Sequence, residues 1–440
     1  MKKLILNLTN MKNILNLLFL ILFCLSSCSK IKVDDGNISV VGPQPTEQIE
    51  QVSLTPTQRS YVDAGNKMAF KFLREVFSDE NIVVSPLSLQ YAMAMAANGA
   101  SSETLQEIVD FLGYGSDGIA ALNEYSKILL EQLPAVDLDV TLNVVNAILV
   151  NEIFPVLPAY KNLVETNYYA AVESMNFSDP GKVANRINEW TDKSTNGFID
   201  KILEPEEVDP NVAAFILNAL YFKAQWEEYN NNSMFLPDFT VAEDFFLSDG
   251  STARVKMMRN TRFHQYAEMD GYKVLVLPYA QGKFNMYILL PDENNIGGLI
   301  EKLESTSWCD IIENLKQDAK VYVRLPKFEL ENKLNFSDAL KSLGVNRAFD
   351  MGSAQFDRML SGGQNDFWMS GIIQKTRIAV SEWGTEAASV TFEGEASSGE
   401  PGGDTGDPKE IYFYADHPFV FIIGEETSGT ILFEGVYTHP

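Results

Sequence analysis

The stretch Ser381-Glu382-Trp383-Gly384-Thr385-Glu386-Ala387-Ala388-Ser389-Val390-Thr391 decides how the chain is read. From Thr385 onward it alternates as a strand does. Thr385, Ala387, Ser389 and Thr391, all small, share one face, while the neighbours Glu386 and Val390 fall on the other. No turn signal stops it before Gly394 to Asp407, a run without a core-forming pattern that reads as an exposed flexible loop. Strand chemistry tethered to such a loop belongs either at a sheet edge or in a strand that enters a sheet later. The small inward face favours entry, because small side chains slide between two strands without overpacking.

Working outward, Tyr412-Phe413-Tyr414-Ala415-Asp416-His417-Pro418-Phe419-Val420-Phe421 leads into two apolar strands that end at Ile431-Leu432-Phe433-Glu434-Gly435-Val436. A Glu-x-Gly-Thr-Glu-Ala-Ala hinge, a variable loop, Ala-Asp-His-Pro-Phe and a terminal Phe-x-Gly-x-Val strongly resemble the serpin family. Asn81-Ile82-Val83-Val84-Ser85-Pro86-Leu87-Ser88, Asn218-Ala219-Leu220-Tyr221-Phe222-Lys223-Ala224-Gln225-Trp226 and Leu325-Pro326-Lys327-Phe328 look like segments of the same family, in its order. The resemblance runs from about Thr55 to Pro440.

Composition sets independent bounds. A chain of 440 residues invites two or three domains, yet no Pro/Gly/Ser-rich linker divides it between residue 55 and the loop. With 45% hydrophobic and 11% aromatic residues, one large domain can fill its core. The formal net charge is −26. That argues against nucleic acid and an anionic membrane surface as partners and fits a soluble exported protein. No repeat of the solenoid or propeller kind is present.

At the N-terminus, Lys2 and Lys3 (or Lys12, if Met11 is the start) precede the apolar run Ile14 to Leu25, too short to span a bilayer. It ends in Leu25-Ser26-Ser27-Cys28, which looks like a bacterial lipobox and makes Cys28 the expected lipidated residue. Residues 1–27 are accordingly expected to be a lipoprotein signal peptide and 28–54 a flexible tether. An exported bacterial lipoprotein at the outer membrane, cell surface or extracellular space follows, with membrane contact only through the lipid. Cys309 then stands without a disulfide partner, in a helical stretch where a buried inert thiol is expected.

Tyr61, Ala64, Met68, Phe72 and Val76 recur at helical steps behind the start signal Thr55-Pro56-Thr57. Ser85-Pro86 is a cap followed by proline, opening a buried Ala/Met-rich helix that stops at Asn98-Gly99. Residues 142–150, 213–222, 274–278, 284–290, 321–328 and 419–423 read as strands. Helices early and strands late give an α+β class rather than a βαβ alternation.

Catalytic chemistry has little to work with. There are three histidines, and no His-Glu-x-x-His, Cys-x-x-Cys or Gly-x-Ser-x-Gly occurs. The glycine-rich run near 399–406 lacks the ending of a phosphate loop, and Asp404 and Asp407 do not fit an EF-hand. No cofactor or metal is expected.

The resemblance implies a single large domain (55–440) with a dominant mixed β-sheet and an exposed reactive-centre loop at about 383–411. It also implies a suicide mechanism. A serine or cysteine protease cuts the loop, and the acyl-enzyme is trapped as the freed hinge enters the sheet, an established form of strand addition. By position, Glu382, Gly384, Thr385, Glu386, Ala387, Ala388, Ser389, Val390 and Thr391 match the hinge. Lys327 matches its basic partner and Trp226 the tryptophan packed there. Ser85, Ser88 and Asn218 match a central polar cluster in which the family usually has a histidine; Gln374 takes that place and, as donor and acceptor, is expected to rewire the network. Counting from Glu382 puts the reactive bond at Ser398-Gly399, about 50 Å of strand away. The loop is long, so the window runs from Glu395 to Lys409. Small residues there favour an elastase-like partner in a covalent 1:1 complex with a monomeric inhibitor. Glu393 and Glu395 share the inward parity, and burying them is costly. A non-inhibitory serpin-fold binding or structural protein, cut only as a substrate, therefore stands as the alternative.

Overall fold

Thr55 Oγ1 accepts from the Gln58 backbone N–H at 3.2 Å while Gln58 Oε1 accepts from the Thr55 N–H at 2.9 Å. This reciprocal cap satisfies two amides that a helix start leaves open, and it launches α1 (Pro56–Val76). Ser85 caps α2 (Pro86–Gly99), its Oγ accepting from Ser88 N–H. Every residue of α2 is buried, as its unbroken apolar run requires. Then come α3 (Ser102–Leu112), α4 (Gly118–Gln132), α5 (Pro158–Tyr168) and α6 (Pro180–Ser194). Shorter helices follow as α7 (Ile296–Ser305), α8 (Trp308–Glu313) and α9 (Ser337–Ser342).

The computed structural model describes residues 43–115, 118–210, 213–228, 232–361, 367–369, 371–385 and 409–440. Its strands are β1 (Ile82–Val84), β2 (Thr141–Asn151), β3 (Ala171–Met175), β4 (Ala214–Gln225), β5 (Val241–Phe246) and β6 (Thr252–Arg262). They continue as β7 (Tyr266–Met269), β8 (Tyr272–Tyr279), β9 (Phe284–Pro291), β10 (Ala319–Pro326) and β11 (Phe328–Asn335). The last are β12 (Ile372–Ser381), β13 (Gly384–Thr385), β14 (Lys409–Tyr414), β15 (Phe419–Glu425) and β16 (Ile431–Tyr437). A large mixed sheet runs β11-β12-β13-β4-β2-β3, a second sheet β1-β16-β15-β9-β8-β7, and a third β14-β10-β6-β5. The α+β expectation holds.

Three details depart from the sequence reading. The single strand expected over 321–328 is two strands in different sheets. β10 ends at Pro326, which has no N–H to continue a ladder, and the chain turns at Lys327, whose N–H donates to Lys256 O at 2.8 Å. The expected tether is laid on the body from residue 43 onward. Val52 is fully buried, Ile49 N–H donates to Ala135 O at 2.9 Å, and Ser53 N–H donates to Gln132 Oε1 at 2.7 Å. Cys309, expected buried, is exposed, because Trp308 takes the inward position of the short helix α8; its Sγ–H reaches Asp63 Oδ1 at 3.4 Å.

The second sheet carries an internal conflict. Glu434 of β16 lies between Val84 and Ile422, fully buried, and neither carboxylate oxygen has a hydrogen-bond partner among the described residues. Burial pushes its pKa up to about 8 from an ordinary 4.5. Between those values the unfolded chain releases a proton that the folded chain keeps, so the group lowers stability progressively as pH rises through the window. Glu434→Leu should therefore raise the thermal midpoint by a few degrees, and more at pH 8 than at pH 5, in paired melts. Equal gains at both pH values would show that the carboxyl is not held neutral by burial.

Candidate functional site

β12 and β4 run parallel and are joined at only one end, through Ile372 opposite Ile216 and Ile373 opposite Leu217. Toward their other ends β13 stands between them, antiparallel to both. Thr385 lies opposite Val380 and Ala224, and Gly384 opposite Ser381 and Gln225. No ladder connects residues 374–379 of β12 with 218–223 of β4. Among the described residues the large sheet thus contains a seam that is zipped at the bottom, wedged at the top and unjoined over six residues between.

The wedge is locked by specific side chains. Thr385 is 2% exposed and its Oγ1 meets Tyr279 Oη at 2.5 Å, so its side chain points inward. Gly384 has φ +140°, and a Cβ there would collide with the Ala224 carbonyl, so only glycine turns the chain into the seam. Trp226 stacks on Tyr279 with centroids 4.5 Å apart and donates from Nε1 to Ser381 O at 2.8 Å. Its backbone N–H donates to Trp383 O at 3.1 Å. Lys327 Nζ lies 3.0 Å from Glu382 Oε2. Burial raises the Glu382 pKa, yet its own backbone N–H and the Lys327 ammonium outweigh burial and hold it below the ordinary carboxylate value. The Glu382 side chain is 8% exposed, so the pair ties the corner of β12 to the turn where the chain switches sheets.

The polar residues beneath the seam divide into two groups. Gln374 Oε1 accepts from Ser85 N–H at 2.8 Å and its Nε2 donates to Ser85 O at 3.0 Å, gripping one residue's backbone from both sides. Thr376 Oγ1 adds a donor to the same Oε1 at 3.0 Å, and Ser85 Oγ donates to Leu432 O at 2.7 Å. Asn218, across the seam, donates instead to Asn146 Oδ1 of β2 at 2.5 Å, and Asn146 donates to Tyr168 O at 2.8 Å. Ser88 Oγ and Asn218 Oδ1 are buried without a partner among the described residues. Sequence matching names Ser85, Ser88, Asn218 and Gln374. It misses Tyr279, Thr376 and Asn146, whose only signal is their alternation within apolar strands.

Of the remaining residues named from sequence, Glu386, Ala387, Ala388, Ser389, Val390 and Thr391 lie outside the described residues. So do Ser398, Gly399, Glu393, Glu395 and Cys28. Among the described residues no cluster of His, Cys, Asp and Glu is arranged to hold a metal ion, and no helix is long and apolar enough to cross a membrane. His417 is engaged by Asp416 at 2.9 Å and Pro291 O at 2.8 Å.

Comparison with known proteins agrees with this geometry. Residues 63–440 match the profile of the family described as serpin (serine protease inhibitor). Serpin-Z10 of Arabidopsis thaliana is 32% identical over 376 residues, spanning 83% of this chain and 93% of its own. Among solved structures, the thermophilic serpin tengpin in its native state superposes with a TM-score of 0.77 at 26% identity, covering 90% of this chain and 97% of its own. An Arabidopsis serpin described in a native stressed conformation gives 0.73 at 28% identity, covering 88% and 100%. Family profile, relatives and the split sheet agree, and the chain belongs to the serpin family, whose members are protease inhibitors rather than enzymes.

Proposed function

We propose that the protein is an irreversible suicide inhibitor of serine endopeptidases, with cysteine endopeptidases as a second target class. The observation that carries this reading is the unjoined seam with the start of an antiparallel strand already seated at its top. Continuing the register of β13 residue by residue sets Glu386 between Ala379 and Lys223, and Thr391 between Gln374 and Asn218. Six hinge residues match six unjoined positions on each flank. A central strand of that length makes about a dozen backbone bonds, each worth roughly 0.5–1.5 kcal/mol net, so on the order of 10 kcal/mol favours entry once the loop is cut.

Beyond Thr391 the same register brings Phe392 and Glu393 to Ile373–Leu217 and Ile372–Ile216, the one place where β12 and β4 are joined. Complete insertion has to unzip that pairing and set Glu393, on the inward parity of Thr385, among isoleucines. This step separates a working inhibitor from the alternative, a non-inhibitory serpin-fold protein whose cut loop stops short. The small inward faces of Thr385, Ala387, Ser389 and Thr391 favour inhibition. The reactive bond is assigned to Ser398-Gly399, within the window Glu395 to Lys409, and its small-residue setting suits an elastase-like target. We further assign the protein to the bacterial envelope as a lipoprotein anchored through Cys28.

Thr385→Arg should convert the protein from inhibitor to substrate, because a guanidinium would have to replace a 2% exposed side chain bonded to Tyr279. The readout is the detergent-stable covalent complex in stoichiometric mixing with elastase. A variant that still traps the enzyme at wild-type stoichiometry would refute inward entry at this position.

Loop cleavage should raise the thermal midpoint by tens of degrees, since the seam is then filled. Glu393→Ala should add further degrees to the cleaved form alone and leave the intact form unchanged. Equal midpoints for cut and intact protein would transfer the assignment to the non-inhibitory alternative.

Cys28→Ser should move the protein from the membrane to the soluble fraction with inhibition intact, because anchoring rests on acyl chains. Retention of the variant in membranes would dismiss the lipobox reading.

A further inference from the structure

A cleft of about 670 Å³ opens where β6, β11, β12 and the C-terminal residues meet, beside the Lys327–Glu382 pair. Its wall carries Arg254, Lys256, Lys327 and His439, together with the Glu329 carboxylate and the final residue, Pro440. Such a concentration of cations is unusual in a chain with 34 basic and 60 acidic residues. The acid is not available to neutralise it, because Glu329 is engaged by Arg377 on the neighbouring strand. Arg254 is paired with Asp244 at 2.8 Å and His439 with Glu80 at 2.9 Å. Lys256 has no carboxylate partner among the described residues, and Lys327 shares its ammonium with Glu382 alone. The lining is also polar at Asn81 and Ser381, and its apolar part includes the buried Phe328, Val380 and Tyr437.

We propose that this cleft binds a small amphipathic carboxylate, its head group between Lys256 and Lys327 and its apolar body along Phe328, Val380 and Tyr437. The volume lies within the range of small-molecule sites, and an apolar wall beside an uncommitted charge is what an amphipathic anion requires. The unpaired Lys256 ammonium favours an anion over a neutral lipid of equal length. Lys256 supplies an uncommitted charge, so binding does not require an existing ion pair to break first. Occupancy nevertheless sets a second carboxylate beside Lys327, in competition with Glu382. Because that pair ties down the corner from which β13 enters the seam, the ligand would accelerate trapping of a protease. This regulatory consequence rests on the inhibitor reading; the binding site does not.

Isothermal titration of the intact protein with octanoate and with octanol tests the two levels separately. Octanoate is expected to bind one to one, with affinity falling at raised ionic strength and at least tenfold in Lys256→Gln and Lys256→Glu. Octanol is expected to give no comparable heat. Absence of octanoate binding, equal binding of octanol, or affinity unchanged in both variants would overturn the site. The rate of covalent complex formation with elastase, measured with and without octanoate, tests the consequence. An unchanged rate with octanoate bound would overturn the regulatory step, while failure to form any complex would count against the inhibitor reading and leave the calorimetry to decide the site.

Discussion

Backbone hydrogen bonding inside a sheet is the constraint on which the rest depends. Strands in the middle of a sheet need partners on both sides, since a buried amide or carbonyl without one costs about as much as the bond it lacks. In the large sheet β12 and β4 meet that demand against β11 and β2, and among the described residues no ladder runs along 374–379 and 218–223 on the sides facing each other. The molecule holds this arrangement by zipping the two strands at Ile372–Ile373 and wedging them with Gly384–Thr385. Specific contacts hold the wedge in place: a glycine where a Cβ would strike the Ala224 carbonyl, a threonine bonded to Tyr279, a tryptophan across Ser381 and an ion pair at the turn.

Much of this is legible in the sequence because the residues involved are local and chemically distinctive. Ser85-Pro86 announces a helix start wherever it occurs, and the alternation of small residues after Gly384 requires no tertiary information. The hinge pair Glu382–Lys327 is recognisable by resemblance rather than by periodicity, since its members lie far apart in the chain. What the sequence conceals has a common physical cause. β11 reads Phe328-Glu329-Leu330-Glu331-Asn332-Lys333-Leu334-Asn335, five of its eight residues polar, because one face of an edge strand is exposed and ion-paired. Glu329 and Glu331 serve Arg377 and Lys375 across the ladder, which turns charges into strand formers. The break at Lys327 is hidden for the opposite reason, because apolar residues on both sides merge two strands of different sheets into one run.

The opposing sides of the seam are anchored to different parts of the molecule. β12 is held through Gln374 to the backbone of Ser85, and hence to the start of α2 and, by Ser85 Oγ, to β16. β4 is held through Asn218 and Asn146 to β2 and the end of α5. No described side-chain hydrogen bond joins Gln374 to Asn218 across the opening. A histidine at position 374 could grip a neighbour with one nitrogen as donor and the other as acceptor, but an amide does so without depending on protonation. The glutamine therefore makes the closed side of this network insensitive to pH where an imidazole would titrate.

Two buried polar atoms at the seam, Ser88 Oγ and Asn218 Oδ1, have no partner among the described residues. Each lies on a different anchored block, Ser88 on α2 and Asn218 on β4. If the loop inserts as proposed above, the register of β13 brings Thr391, the last of the small inward residues and one that carries a hydroxyl, between Gln374 and Asn218. A threonine there would offer a donor to the open Asn218 carbonyl oxygen, whereas Ala387 and Ser389 would meet the apolar or already bonded stretches above. On that proposal the open Asn218 oxygen lies where the entering strand brings a polar side chain, so its cost in the intact sheet would be offset in the inserted state, and insertion would be favoured by side chains as well as by the backbone ladder.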